Sequence, residues 1–131
     1  MALLPSNNEG RPYVGLGSAD WARLVSQQWQ FVYVALGNYY AILNVALGSN
    51  RNTITVNNSR LELTGENWDQ QANQRFIIQP VAAQPGTYAI INIATNKPLS
   101  YNPNPASIMM GAYNDWDNDI KQRFIISEIQ S

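Results

Sequence analysis

The sequence predicts an all-β fold assembled from three copies of one strand-and-turn unit. Two observations carry this expectation. Nearly the same phrase occurs twice, as NWDQQANQRFII from Asn67 to Ile78 and as DWDNDIKQRFII from Asp115 to Ile126. A looser third copy, GSADWARLVSQQWQF, runs from Gly17 to Phe31 in the same register. Trp21, Trp68 and Trp116 then stand at matching positions, separated by 47 and 48 residues. Each is followed by a glutamine (Gln27, Gln74, Gln122) and, two residues later, by a ring (Trp29, Phe76, Phe124). Self-similarity at such a period marks units that cannot bury their apolar faces singly and pool them in one core.

Taken in chain order, the first element is SADWARLVSQQW. Its apolar periodicity is short and the repeat sets it opposite turn-like segments, so it reads as a turn with one helical twist. GNYYAILNVA and GTYAIINIAT come next as two copies of one opening strand: Tyr40, Ile42 and Asn44 match Tyr88, Ile90 and Asn92. Alternation places each trio on one strand face. Arg60-Leu61-Glu62-Leu63 alternates cleanly, and RFIIQPV and RFIISEI are short β-rich runs. Gly, Pro and Asn punctuate them in LGSNRN, QPG and NPNPAS. Met109 and Met110 alternate on a strand, one facing the core and the other covered by a hairpin.

Three repeats of about 47 residues, each with three or four short strands, close most simply into a β-trefoil, since closure removes exposed sheet edges and a propeller needs at least four blades. The expected organisation is one domain over 1–131, with repeats at about 1–36, 37–84 and 85–131. The first repeat lacks a copy of the opening strand, whose place would lie before Met1. An unpaired strand position invites pairing, so a homodimer is expected.

Composition removes several chemistries. There is no cysteine and no histidine, which excludes disulfides, thiolate zinc sites and Ser-His-Asp or Cys-His catalysis. Charged residues make up 13% of the chain and the net charge is −1, so no electrostatic footprint for nucleic acid or an anionic membrane exists. No stretch has the length of a membrane span, and MALLPSNNEG lacks the basic and apolar regions of a signal peptide. A cytoplasmic protein is the expectation, with the sequon at Asn57 unused. Asp115, Asp117 and Asp119 have the first spacing of a calcium loop, but Ile120 and Ile126 occupy the glycine and glutamate positions. The carboxylates lie in turns with no sign of a buried acid, so neither enzyme activity, metal nor cofactor is expected.

The motif of glutamine, one residue, then an aromatic resembles the QxW signature of ricin B-like β-trefoils, most of all their cytosolic fungal lectins and protease inhibitors. Gln27-Gln28-Trp29 matches fully, while Gln74-Arg75-Phe76 and Gln122-Arg123-Phe124 are phenylalanine variants. The resemblance spans nearly the whole chain, including GTYAIINIATNKPLSYN. It implies that the ring packs in the core and that each glutamine satisfies buried backbone groups. It also implies a sugar site built from an aspartate after the second strand's leucine, a stacking ring and an asparagine before the glutamine. Leu99, Ile54 and Leu4 are followed here by Ser100, Thr55 and Pro5, so that aspartate is absent. Of Ser26, Asn73 and Lys121, only Asn73 keeps the asparagine.

The tryptophans supply a different candidate site. An indole face covers sugar C–H groups while a neighbouring Asp or Asn bonds hydroxyls. Asp20-Trp21, Asn67-Trp68-Asp69 and Asp115-Trp116-Asp117-Asn118 write that pairing three times. With Asn73 they form the predicted carbohydrate-binding set of a lectin for glycans or glycoproteins. Three weak sites on one body would gain by multivalency. Each tryptophan also fits a second role, packing under its hairpin as a satellite of the core. The alternative function is a trefoil protease inhibitor, acting through the proline-stiffened loop Asn102 to Ser107 or the loop Leu47 to Thr53, or a non-catalytic interaction module.

Overall fold

In the computed structural model, residues 2–8, 11–17, 27–34, 37–103 and 106–126 are described. Ten strands run in order: β1 (Ala2–Asn8), β2 (Arg11–Gly17), β3 (Trp29–Val34), β4 (Tyr39–Asn44), β5 (Thr53–Asn57), β6 (Arg60–Thr64), β7 (Phe76–Pro80), β8 (Tyr88–Asn92), β9 (Lys97–Pro103) and β10 (Ala106–Met110). The pairings among them are antiparallel and join the ten into one sheet.

The repeat is visible in how the strands pair. Strands β3, β4, β7 and β8 succeed one another as neighbours, and Phe124 extends the series by bridging Tyr88. The other six strands form three hairpins, β1–β2, β5–β6 and β9–β10. These hairpins meet: β2 pairs with β6 at Tyr13↔Glu62 and with β10 at Gly15↔Ser107, and Met110 N–H donates to the Ser59 carbonyl across 3.1 Å. A run of neighbouring barrel strands with a triplet of hairpins is the β-trefoil that the repeats predict. Among the described residues, the first repeat contributes β1, β2 and β3 and holds no counterpart of β4 and β8.

One central cluster fills the barrel: Ile42, Ile54, Val56, Leu61, Leu63, Phe76, Ile90, Leu99 and Ile108. The motif rings Trp29, Phe76 and Phe124 all belong to it or pack on it. Each repeat alone has too few apolar side chains for a core; pooled across three, they exclude water from a common interior.

Strands β4 and β8 are buried on both faces, and their alternation explains why. Ile42 and Ile90 face the central cluster. Ala41 and Leu43 point outward, where Val34 and Trp68 cover them; Ala89 and Ile91 do the same beneath Val81 and Trp116. Turn geometry repeats as well. Asn38 and Gly86, in matching positions before these strands, both have positive φ, 62° and 92°. Asparagine and glycine tolerate that region where other residues are strained.

Two elements differ from the sequence expectation. The segment Asn102 to Ser107 is not a six-residue loop: β9 and β10 stay paired through Ser107↔Asn102 and Ala106↔Pro103, leaving only 104–105 between them. A proline at the last rung costs the ladder little, because little pairing lies beyond it. RFIISEI also yields less strand than its composition suggests. Phe124 exchanges two 2.8 Å hydrogen bonds with Tyr88, but Ile125 is 77% exposed and Ile126 is unpaired in the described sheet. Met109 and Met110 are both half-buried, Met110 against the central cluster and Met109 with its sulfur accepting from the Asn102 amide. The helical twist expected in SADWARLVSQQW falls largely at 18–26, outside the described residues, as do Asp20 and Trp21.

Candidate functional site

The candidate site is built from the motif glutamines outward. Gln27, Gln74 and Gln122 are 7%, 1% and 4% exposed. The Gln74 amide N–H groups donate to the Gly65 carbonyl (2.8 Å) and to the hydroxyls of Thr55 and Thr64 (both 3.1 Å), while its Oε1 accepts from Asn67 N–H (2.8 Å). Gln122 repeats the pattern, donating to the Tyr113 carbonyl and accepting from Asp115 N–H, both at 2.8 Å. A buried amide must satisfy both its ends. Here one end fixes the chain before the turn and the other fixes the turn's first residue.

Each turn then closes on that residue. The Asn67 carbonyl accepts from the N–H groups of Gln70 and Gln71 (3.1 and 3.0 Å). The Asp115 carbonyl accepts from Asn118 and Asp119 (3.0 and 2.7 Å). The chain beyond makes a short 3-10 turn, Ala72–Gln74 or Ile120–Gln122, and enters the motif ring. The two tryptophans thereby sit one residue past a fixed point. Trp68 is half-buried against Val34, Ala41 and Leu43, and Trp116 against Val81, Ala89 and Ile91. The satellite packing that sequence reasoning offered as a second role is therefore present, and it leaves part of each indole accessible.

Around Trp68 lies a shallow depression of about 220 Å³, lined by Glu66, Asn67, Trp68, Asp69 and Gln70. Asn67, Asp69 and Gln70 are exposed. Glu66 Oε1 accepts from Asn52 Nδ2 at 2.8 Å, which orients its carboxylate. Trp68 thus lines a depression together with amide and carboxylate groups. Around Trp116, Asp115 and Asp117 are exposed, and Asn118 Nδ2 donates to Asp115 Oδ1 at 3.0 Å. The calcium-like acidic spacing is used locally: Asp119 Oδ1 caps Lys121 N–H at 3.0 Å.

The structure thus gathers Asn67, Trp68 and Asp69 in one turn and Asp115, Trp116, Asp117 and Asn118 in an equivalent one. It does not gather Asn73 with them. Asn73 Nδ2 donates to the Val56 carbonyl at 3.1 Å, and the residue does not line the depression. Thr55, in the position where the resembled family carries its aspartate, is buried and its hydroxyl serves Gln74, Thr64 and the Thr53 carbonyl. That position in the second repeat is interior scaffold.

Sequence reasoning did not place Glu66 or Gln70 at the sugar site; Gln70 lies inside the motif and matches the amide of Asn118, whereas Glu66 matches Asn114. It also missed Arg75 and Arg123. Arg75 Nε donates to the Trp68 carbonyl, and Arg123 Nε to the Trp116 carbonyl at 2.7 Å. Their shared place inside the two QRF motifs was the available signal.

Comparison with known proteins agrees with this fold. A family model described as ricin-type beta-trefoil lectin domain-like matches residues 25–112, more than half of the chain. No curated protein is significantly similar. Among solved structures, the chain is similar to the Haemophilus ducreyi cytolethal distending toxin at 12% identity and a TM-score of 0.72, covering 99% of this chain and 82% of that one. It is similar to the designed threefold-symmetric protein ThreeFoil at 15% identity and a TM-score of 0.67, covering 95% and 84%. It is also similar to Polyporus squamosus lectin, bound to Neu5Acα2-6Galβ1-4GlcNAc, at 18% identity and a TM-score of 0.68, covering 92% of this chain and 42% of that one. At these identities the structural matches establish the fold, and the family match establishes descent. The chain belongs to the ricin-type β-trefoil lectin domain-like family.

Proposed function

We propose that this protein binds carbohydrate without catalysis, through its Asn/Asp-Trp turns. The observation that carries the reading is the repeated turn itself: a half-buried indole beside exposed amide and carboxylate groups, fixed to the core by a buried glutamine. Such a surface suits a sugar. Its ring has apolar C–H patches for the indole and hydroxyls for the Asp and Asn groups. A shallow depression of about 220 Å³ has room for about one sugar unit and predicts modest affinity per turn. Two or three such turns on one rigid body favour clustered glycans by raising effective concentration. Family membership and the sialylated glycan named with the Polyporus squamosus lectin support the class of ligand.

A glycan array probed with the labelled protein, beside Trp68→Ala and Trp116→Ala variants checked for folding, tests this reading. Binding by the wild type that falls with each substitution supports it. Binding that survives the double variant moves the site elsewhere, and silence across a broad array rejects carbohydrate binding.

A further inference from the structure

The Trp68 and Trp116 turns are each held at two successive residues by two successive side chains of one motif. Gln74 takes the N–H of Asn67 and Arg75 takes the carbonyl of Trp68. Gln122 takes the N–H of Asp115 and Arg123 takes the carbonyl of Trp116. The glutamine thus fixes where the turn starts, and the arginine fixes the peptide plane immediately after the indole. Rotation of that plane would swing the indole edge relative to the flanking carboxylate. Arg123 reaches further: its second nitrogen donates to the Asp117 carbonyl at 3.0 Å and its third to Gln84 Oε1 at 3.2 Å, tying the turn to the loop between β7 and β8.

We propose that Arg75 and Arg123 are positioning residues that hold the tryptophan turns in their sugar-binding shape; this rests on the reading of those turns as sugar sites. A guanidinium suits the task because it presents several N–H donors in one fixed plane, is always charged, and bonds carbonyls more strongly than a neutral amide does. A turn held before binding loses less conformational entropy when a ligand docks. The first repeat carries Gln28 at the corresponding position. A glutamine lacks the guanidinium's planar fork of donors, so the arginine brace is written in the second and third motifs.

The test uses full-length protein labelled with 5-fluorotryptophan, whose Trp68 and Trp116 resonances are assigned from Trp→Phe variants. Arg75→Gln should shift and broaden the Trp68 resonance alone, and Arg123→Gln that of Trp116 alone, with the other resonances keeping their dispersion. Arg→Lys at either site should restore part of the effect, since an ammonium can still donate to the carbonyl. Affinity for a polymer bearing Neu5Acα2-6Galβ1-4GlcNAc should fall by about 3- to 10-fold in each glutamine variant. Unchanged fluorine resonances overturn the positioning role. So does a local fluorine change with unaltered polymer affinity. Absence of polymer binding by the wild type counts instead against that glycan as the ligand, and the fluorine spectra then decide the brace by themselves.

Discussion

The second and third repeats write almost the same motif, yet they anchor it differently. In the second, Gln74 makes most of the bonds: it holds the Asn67 N–H, the Gly65 carbonyl and two threonine hydroxyls, while Arg75 adds the Trp68 carbonyl. In the third, among the described residues, Gln122 bonds Asp115 N–H and the Tyr113 carbonyl, and Arg123 makes three bonds, to Trp116, Asp117 and Gln84. The cause lies in the hairpins. Thr55 and Thr64 offer hydroxyls to the second repeat's glutamine, whereas Gly111 takes the place of Thr64 beside the Gln122 amide and has no side chain to offer. The pairing of the motif rings differs too. Phe76 begins a five-residue strand paired along its length with β8, while Phe124 makes a single bridge among the described residues. One motif therefore yields a turn pinned mainly by its buried glutamine in one repeat and by glutamine and arginine together in the other.

That contrast can be broken most forcefully at the rings. Phe76→Ala, at a fully buried position, should cost about 3–5 kcal/mol in denaturant titration. Phe124→Ala, at a half-buried one, should cost about half as much, because less apolar area returns to water. Equal losses would erase the distinction between the two repeats.

The glutamines come next. Gln74→Ala strips two backbone groups of their partner and removes one bond from each of two threonine hydroxyls, which still bond each other, and should cost about 2–4 kcal/mol. Gln122→Ala strips two backbone groups of theirs, and about 1–2 kcal/mol is expected in the same titration. A larger loss at Gln122 would show that the arginine does not share the anchoring.

The smallest effect sharpens the comparison at the entry to β4 and β8. Gly86→Ala should destabilise by about 1 kcal/mol, since its φ of 92° strains an L side chain even though open space surrounds it. Asn38→Gly, at the matching position, should change the thermal midpoint by little, because glycine adopts the same region freely.

Much of this was legible from residue spacing. The register of Trp, Gln and ring revealed the repeat, because each of those residues answers a need that recurs with the fold. Tyr40, Ile42 and Asn44 with their copies marked the opening strand for the same reason. The scaffold role of the asparagines was harder to see. Asn92 is fully buried, accepts from Ala94 and Thr95 N–H groups and donates to the Asn73 and Arg75 carbonyls, a set of partners separated by up to 19 residues. Tertiary partners also decided Asn73, whose amide is drawn to Val56 rather than to the tryptophan turn. The proline-rich segment around Asn102 misled because proline signals a turn locally, while the extent of pairing depends on the whole hairpin. Expectations for Asp20 and Trp21 fall outside the described residues.

The central claim is that the tryptophan turns, and not the hairpin positions used elsewhere in the resembled family, contact the sugar. The most direct test is to titrate a glycan identified on the array into ¹⁵N-labelled protein and track the assigned indole and backbone N–H signals. The account predicts that the indole signals of Trp68 and Trp116 and the backbone of Asn67, Asp69, Asp115 and Asp117 shift together with a common affinity. Shifts centred on Thr55, Ser100 and their hairpins, with both indoles unmoved, would contradict it.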